Sequence, residues 1–136
     1  MNKLKKIMLI EDDEIDVMTV ERALKELNVD NPLMVAGNGE EALQMLQDYS
    51  CKPFIIILDL NMPRMNGLEF LKIVKSDENF KKIPTVVLTT SKEEQDVFES
   101  YNLGVAGYIL KPVDYSKFVD ALRTLNLYWN LCKVPE

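Results

Sequence analysis

Pro53-Phe54-Ile55-Ile56-Ile57-Leu58-Asp59 is the stretch that decides the fold. Five apolar residues stand in a row between a proline and an acid. Alternating polarity would mark a strand with one wet face. Unbroken hydrophobicity marks a strand covered on both faces, as in a parallel sheet.

The same unit recurs on either side of it: a short apolar run, then a longer amphipathic stretch. Upstream, Ile7–Ile10 is followed by Ile15–Leu27, with Val17, Val20, Leu24 and Leu27 at helical spacing. Asn31-Pro32 breaks that helix, and Leu33–Ala36 forms the second run. Asn38-Gly39-Glu40-Glu41 then reads as a helix start, with Asn38 as N-cap, acids in the first turn, and Leu43 and Leu46 facing inward. Downstream, Asn66-Gly67 precedes a helix through Lys75 that carries Leu68, Leu71 and Val74. Pro84 opens the run Thr85–Leu88, and Ser91 with Glu94 reads as a capping box for a helix ending near Gly104. Tyr108–Leu110 is the fifth run. Asp114 is placed to cap a final helix with Phe118, Leu122, Leu125, Trp129 and Cys132 on one stripe. Five such alternations in one chain predict an α/β fold, a doubly wound parallel sheet with helices on both faces.

Composition narrows the function. The chain has 136 residues, 47% hydrophobic and 28% charged, the size of one domain. Twenty-two acids against 16 bases give a net charge of −6, which argues against nucleic acid as a direct partner. The short Lys3, Lys5, Lys6 cluster does not reverse that. There is no histidine, which removes Ser-His and Cys-His catalysis and histidine metal sites. Cys51 and Cys132 have no spacing motif and read as reduced and structural, in a cytosolic (cytoplasmic) setting. Apolar runs of five residues or fewer cannot make a membrane span or a signal peptide.

In doubly wound sheets the working site lies beyond the carboxyl ends of the strands. Glu11, Asp12 and Asp13 follow the first run, and Asp59 and Asn61 follow the third. Thr89 and Thr90 follow the fourth, and Lys111-Pro112 follows the fifth. Clustered carboxylates at the mouth of an apolar sheet need a cation. Hard oxygen ligands suit Mg²⁺, Lys111 adds a fixed positive charge, and the Thr89 hydroxyl is a donor to an anionic oxygen. Together they suit a phosphoryl group beside a carboxylate nucleophile. Taken singly, each has a plainer reading. Glu11–Asp13 fits a turn and helix cap, Lys111-Pro112 a turn, and the threonines a strand end. Their joint placement, each at the same end of its own strand, favours the site.

With these residues in place, the chain resembles the receiver domain of two-component response regulators. The likeness is carried by Glu11-Asp12, Asp59-Leu60-Asn61-Met62-Pro63, Met65-Asn66-Gly67-Leu68-Glu69, Thr89 and Gly107-Tyr108-Ile109-Leu110-Lys111-Pro112, from about Lys5 to Leu127. The resemblance implies a flavodoxin-like (βα)5 fold with strand order 2-1-3-4-5, spanning residues 1–136 as a single receiver domain with no output domain. It implies that Asp59 is the phosphoacceptor for a sensor histidine kinase or phosphotransfer protein. Asp12 would bind Mg²⁺ directly with Glu11 assisting, and the Asn61 backbone carbonyl and Asp59 would complete the protein ligands. Lys111 would pair with Asp59 and then with the phosphoryl group, Thr89 would hydrogen-bond that group, and Tyr108 would swing inward behind it. The Lys111-Pro112 peptide would be cis. Output would pass by protein contact through the fourth helix, fifth strand and fifth helix, near Phe98, Tyr101 and Tyr108. Such a protein is a switch and not an enzyme, transforming only its own aspartate. The first acid of the pair is Glu11 where Asp is also common, a minor departure.

A narrower resemblance, to the small single-domain regulators that partner phytochrome-type histidine kinases, rests on four stretches and a late pair. They are Leu88-Thr89-Thr90-Ser91, Ser100-Tyr101-Asn102-Leu103-Gly104, Gly107-Tyr108-Ile109 and Lys111-Pro112-Val113-Asp114, with Tyr128-Trp129. Leu127, Tyr128 and Leu131 add apolar residues beyond the final helix's stripe, to be covered either by the tail folding back over its own domain or, the favoured reading, by a second copy in a symmetric homodimer. Two other functions compete. A hydrolase of the haloacid dehalogenase type also uses a strand-end Asp and Mg²⁺, but expects a second Asp where Asn61 stands, and a cap domain. A phosphorylation-independent interaction module would not need the intact acid set.

Overall fold

The computed structural model describes residues 5–48, 52–60, 65–89, 102–110 and 115–131. Five strands, β1 (Ile7–Ile10), β2 (Leu33–Ala36), β3 (Ile55–Leu58), β4 (Thr85–Thr89) and β5 (Gly107–Leu110), form one sheet in the order β2-β1-β3-β4-β5. All four pairings are parallel. Among the described residues, three helices lie between strands: α1 (Glu14–Glu26), α2 (Gly39–Gln47) and α3 (Gly67–Lys75). A final helix spans Tyr115–Leu131. The helix expected from Ser91, its Ser91/Glu94 capping box, the Asp114 cap, the Lys111-Pro112 peptide, Cys51 and Cys132 lie outside the described residues.

The unbroken apolar strands are buried because both faces are covered. Every residue of β1 and β3 is buried. Their side chains part by the twofold period of a strand. Met8, Ile10, Ile56 and Leu58 join Phe70, Leu71, Val74 and Leu46, under α2 and α3. Ile7, Leu9, Ile55 and Ile57 join Val20, Leu24, Phe118 and Leu122, under α1 and the final helix. Each such fully buried side chain contributes roughly 1.5–3 kcal/mol relative to exposure. β2 is an edge strand, and its Val35 is accordingly exposed.

The helix starts are chemically marked. Asp13 caps α1, its side chain accepting from the N–H groups of Ile15 and Asp16. Asn38 caps α2, accepting from Glu41 N–H at 2.9 Å as its sequence position predicts. Asn66 and Glu69 form a reciprocal capping box at α3: Glu69 N–H donates to Asn66 Oδ1 and Asn66 N–H to Glu69 Oε1, each at 3.0 Å. At the far end of α3 the Lys75 ammonium donates to the carbonyls of Ile83 at 3.1 Å and Lys81 at 3.3 Å. Partial burial there lowers the Lys75 pKa below its ordinary value.

Candidate functional site

The site forms where β3, the central strand, and its neighbour β1 end together. The ladder that pairs Ile10 with Leu58 runs on past both strands. Asp59 N–H donates to the Ile10 carbonyl at 3.0 Å, and Glu11 N–H donates to the Ala36 carbonyl of β2 at 2.9 Å. Main-chain bonds therefore set Glu11 and Asp59 side by side at the carboxyl edge of the sheet. Both are buried, at 2% and 4% exposure, which is rare for carboxylates. Asp12, the next residue, is exposed. One carboxylate oxygen from each of Glu11, Asp12 and Asp59 lies within 4.8 Å of the other two.

Neighbouring groups hold this arrangement. Glu11 Oε2 accepts from Asp13 N–H at 3.3 Å, and Asp13 in turn caps α1, so the acidic turn and the helix start are one structure. Asp13 is the cap that the turn predicts, while Glu11 and Asp12 each place a carboxylate oxygen in the cluster. Behind Asp59, Gly67 donates its N–H to the Leu60 carbonyl at 3.1 Å. A Cβ on Gly67 would lie 2.6 Å from the Asp59 carbonyl oxygen and from Leu60 Cα, so only glycine fits. The sequence marked Asn66-Gly67 as a helix start, which gives no sign of this packing against the strand end.

Three convergent carboxylates, two of them buried, repel one another and are costly to desolvate unless cations compensate. The donors are hard oxygens on two rigid strand ends with one exposed member, a set that fits a small oxygen-seeking divalent ion with part of its shell left to water. Thr89 ends β4, the neighbour of β3, and Tyr108 lies in β5 opposite Val87. Both positions are therefore at or near the same sheet edge, while their side chains, and Asn61 and Lys111 altogether, lie outside the described residues.

Comparison with known proteins agrees with this architecture. Residues 7–123 match the family described as response regulator receiver domain. The response regulator Rcp1 of Synechocystis sp. is 35% identical over 133 residues, covering 94% of this chain and 90% of Rcp1. The crystal structure of the phosphorylated cyanobacterial phytochrome response regulator RcpA superposes with a TM-score of 0.88 at 35% identity, over 98% of this chain and 100% of that one. The Mn²⁺-bound form of Rcp1 superposes with a TM-score of 0.85 at 33% identity, over 97% of this chain and 99% of that one.

Proposed function

Because this chain belongs to the response regulator receiver family, a family of phosphoacceptor signalling proteins, we propose that Asp59 takes a phosphoryl group from a phosphohistidine of a sensor kinase or phosphotransfer protein. The observation that carries the reading is the main-chain register that sets the buried Asp59 beside Glu11, with Asp12 completing a three-carboxylate cluster. A carboxylate oxygen of Asp59 attacks phosphorus, the P–N bond breaks, and the imidazole leaves with the electron pair. Glu11, Asp12, Asp59 and the Asn61 backbone carbonyl would hold Mg²⁺, with Asp12 in direct contact and Glu11 assisting. When bound, that ion neutralises the phosphoryl oxygens. That similar Rcp1 has a Mn²⁺-bound form supports the choice of a divalent cation.

Lys111 holds the incoming anion in this reading, the Thr89 hydroxyl donates to it, and Tyr108 follows Thr89 inward. The switch is a population shift between two packings of one fold. Its output passes by protein contact through the segment beginning at Ser91, β5 and the final helix, with residues 7–123 acting as the receiver domain. The likeness to phytochrome response regulators favours a phytochrome-type histidine kinase as donor. Two copies pair through the final helix, where Leu127, Tyr128 and Leu131 add to the apolar stripe; a lower sedimenting mass for Tyr128→Ala/Leu131→Ala, with Asp59 still phosphorylated, tests that.

The central experiment is mass spectrometry after a small-molecule phosphoryl donor with Mg²⁺. Wild type should gain one phosphoryl group and Asp59→Asn none, because the amide is close in shape but far less nucleophilic. Turnover of the donor without an adduct would indicate hydrolysis. No reaction would indicate an interaction module that works without phosphate.

A further inference from the structure

We propose that Gly39 is a positioning residue for the carboxylate cluster, acting through Met65 on a different loop. The proposal rests on the reading of Asp59 as a phosphoacceptor served by a divalent cation. Gly39 is the first residue of α2 and is buried. Alanine is the better helix former at such a position. The reason for glycine is the close approach of Met65. A Cβ on Gly39 would lie 2.8 Å from Met65 Cγ, 2.9 Å from Met65 Sδ and 2.9 Å from the Met65 carbonyl oxygen. The thioether chain has rotamers to escape into. The carbonyl moves only with its peptide.

That peptide has little freedom. Met65 sits at φ +44°, in the small left-handed region that side chains rarely occupy. Its C=O lies in one plane with the N–H of Asn66. The Asn66 N–H is committed to Glu69 Oε1 in the capping box. The next residue, Gly67, is hydrogen-bonded to Leu60 and rests against the carbonyl of Asp59. Displacing Met65 therefore tilts Asn66, shifts Gly67 and moves the strand end that carries the Asp59 carboxylate. Glu11 and Asp12 follow the end of β1, where bonds to Ala36 and Asp13 hold Glu11, and do not move with Asp59, so the three oxygens lose their mutual spacing. The start of α2 in this way sets the seat of a cluster to which it contributes no side chain.

The test is calorimetric titration with Mn²⁺ alone, without a phosphoryl donor. Gly39→Ala should raise the apparent Mn²⁺ dissociation constant about tenfold, the lower range for residues that orient metal ligands from behind. Val20→Ala, a cavity on the opposite face of the sheet, should lower the melting temperature and leave Mn²⁺ binding at the wild-type value. Should Gly39→Ala fail to fold, Glu69→Ala frees the Met65–Asn66 peptide by removing the acceptor of the Asn66 N–H and should also weaken Mn²⁺ binding, wild-type affinity there overturning the proposal. Folded Gly39→Ala with wild-type affinity overturns the proposal, as does an equal loss of affinity in Val20→Ala. Wild-type protein that binds no Mn²⁺ and takes no phosphoryl group overturns the reading of Asp59 itself.

Discussion

The backbone N–H of Asp59 donates to the carbonyl of Ile10 at 3.0 Å, and the carboxylate of Asp59 converges with that of Glu11, the residue after Ile10. The apolar strands and the acidic site are thus one device. The register of β3 against β1 is fixed by two covered faces, since a one-residue slip would exchange Ile56 and Leu58 for Ile55 and Ile57 and misfit both cores. The same slip would carry Asp59 away from Glu11. Burial of the strands holds the carboxylates at a spacing that their own repulsion opposes.

Mg²⁺ should therefore stabilise the fold. At a concentration about ten times its dissociation constant, linkage adds about 1.4 kcal/mol to the unfolding free energy. Asp12→Asn should lose most of that increment while changing metal-free stability little, because Asp12 is exposed. Glu11→Gln should lose less of it, as an assisting group. Urea unfolding with and without Mg²⁺ measures all three. Equal increments in wild type and both variants would remove the metal from this cluster.

Phe70 anchors α3 in the cluster beneath Asp59's strand and is fully buried. Phe70→Ala should cost about 3–5 kcal/mol. Ile73, three residues on and 44% exposed, should lose no more than about 0.5 kcal/mol on truncation to alanine. Denaturant midpoints at unchanged slope check the contrast.

Asn66 closes α3 with two reciprocal hydrogen bonds next to the glycine that backs Asp59. Asn66→Ala should cost about 1 kcal/mol, whereas Asn66→Gly should cost only a few tenths of that unit. Chemical denaturation separates the two. No loss in Asn66→Ala would show that the side-chain oxygen is not what caps the helix.

Much of this was readable in the residues, and for a physical reason. Phe54–Leu58 and Ile7–Ile10 are apolar throughout because inner strands have no wet face, so strand and class follow from the pattern alone. Strand order 2-1-3-4-5 came with the family resemblance, and the five-strand sheet has it. Glu11, Asp12 and Asp59 were found by their place at strand ends. What the pattern does not carry is steric. Gly39 and Gly67 read as ordinary helix starts, because no local signal says that Met65 or the Asp59 carbonyl will come within contact range. The capping box on Asn66 and Glu69 was within reach of the same rule applied at Ser91, since acid follows cap by three residues at both.

Lys75 gives the fold a pH dependence of calculable sign. Burial lowers its pKa from the ordinary 10.5, so the folded state releases this proton at lower pH than the unfolded state. Below the folded pKa both states carry the charge, and the full penalty of burying the ammonium is present. Between the folded pKa and 10.5 the unfolded chain binds more protons, and stability from this group rises with pH. Above 10.5 both are neutral and the penalty is gone. Lysines and tyrosines elsewhere titrate in the same alkaline range, so the informative quantity is a difference. The stability of wild type minus that of Lys75→Met should increase as pH is raised from about 8 to about 10. The variant also strips the donor from the carbonyls of Ile83 and Lys81, which offsets the difference by an amount that does not vary with pH. The slope, not the offset, reports the titration. A difference that is flat or falls over this range would show that the Lys75 ammonium is as well solvated in the fold as in the unfolded chain.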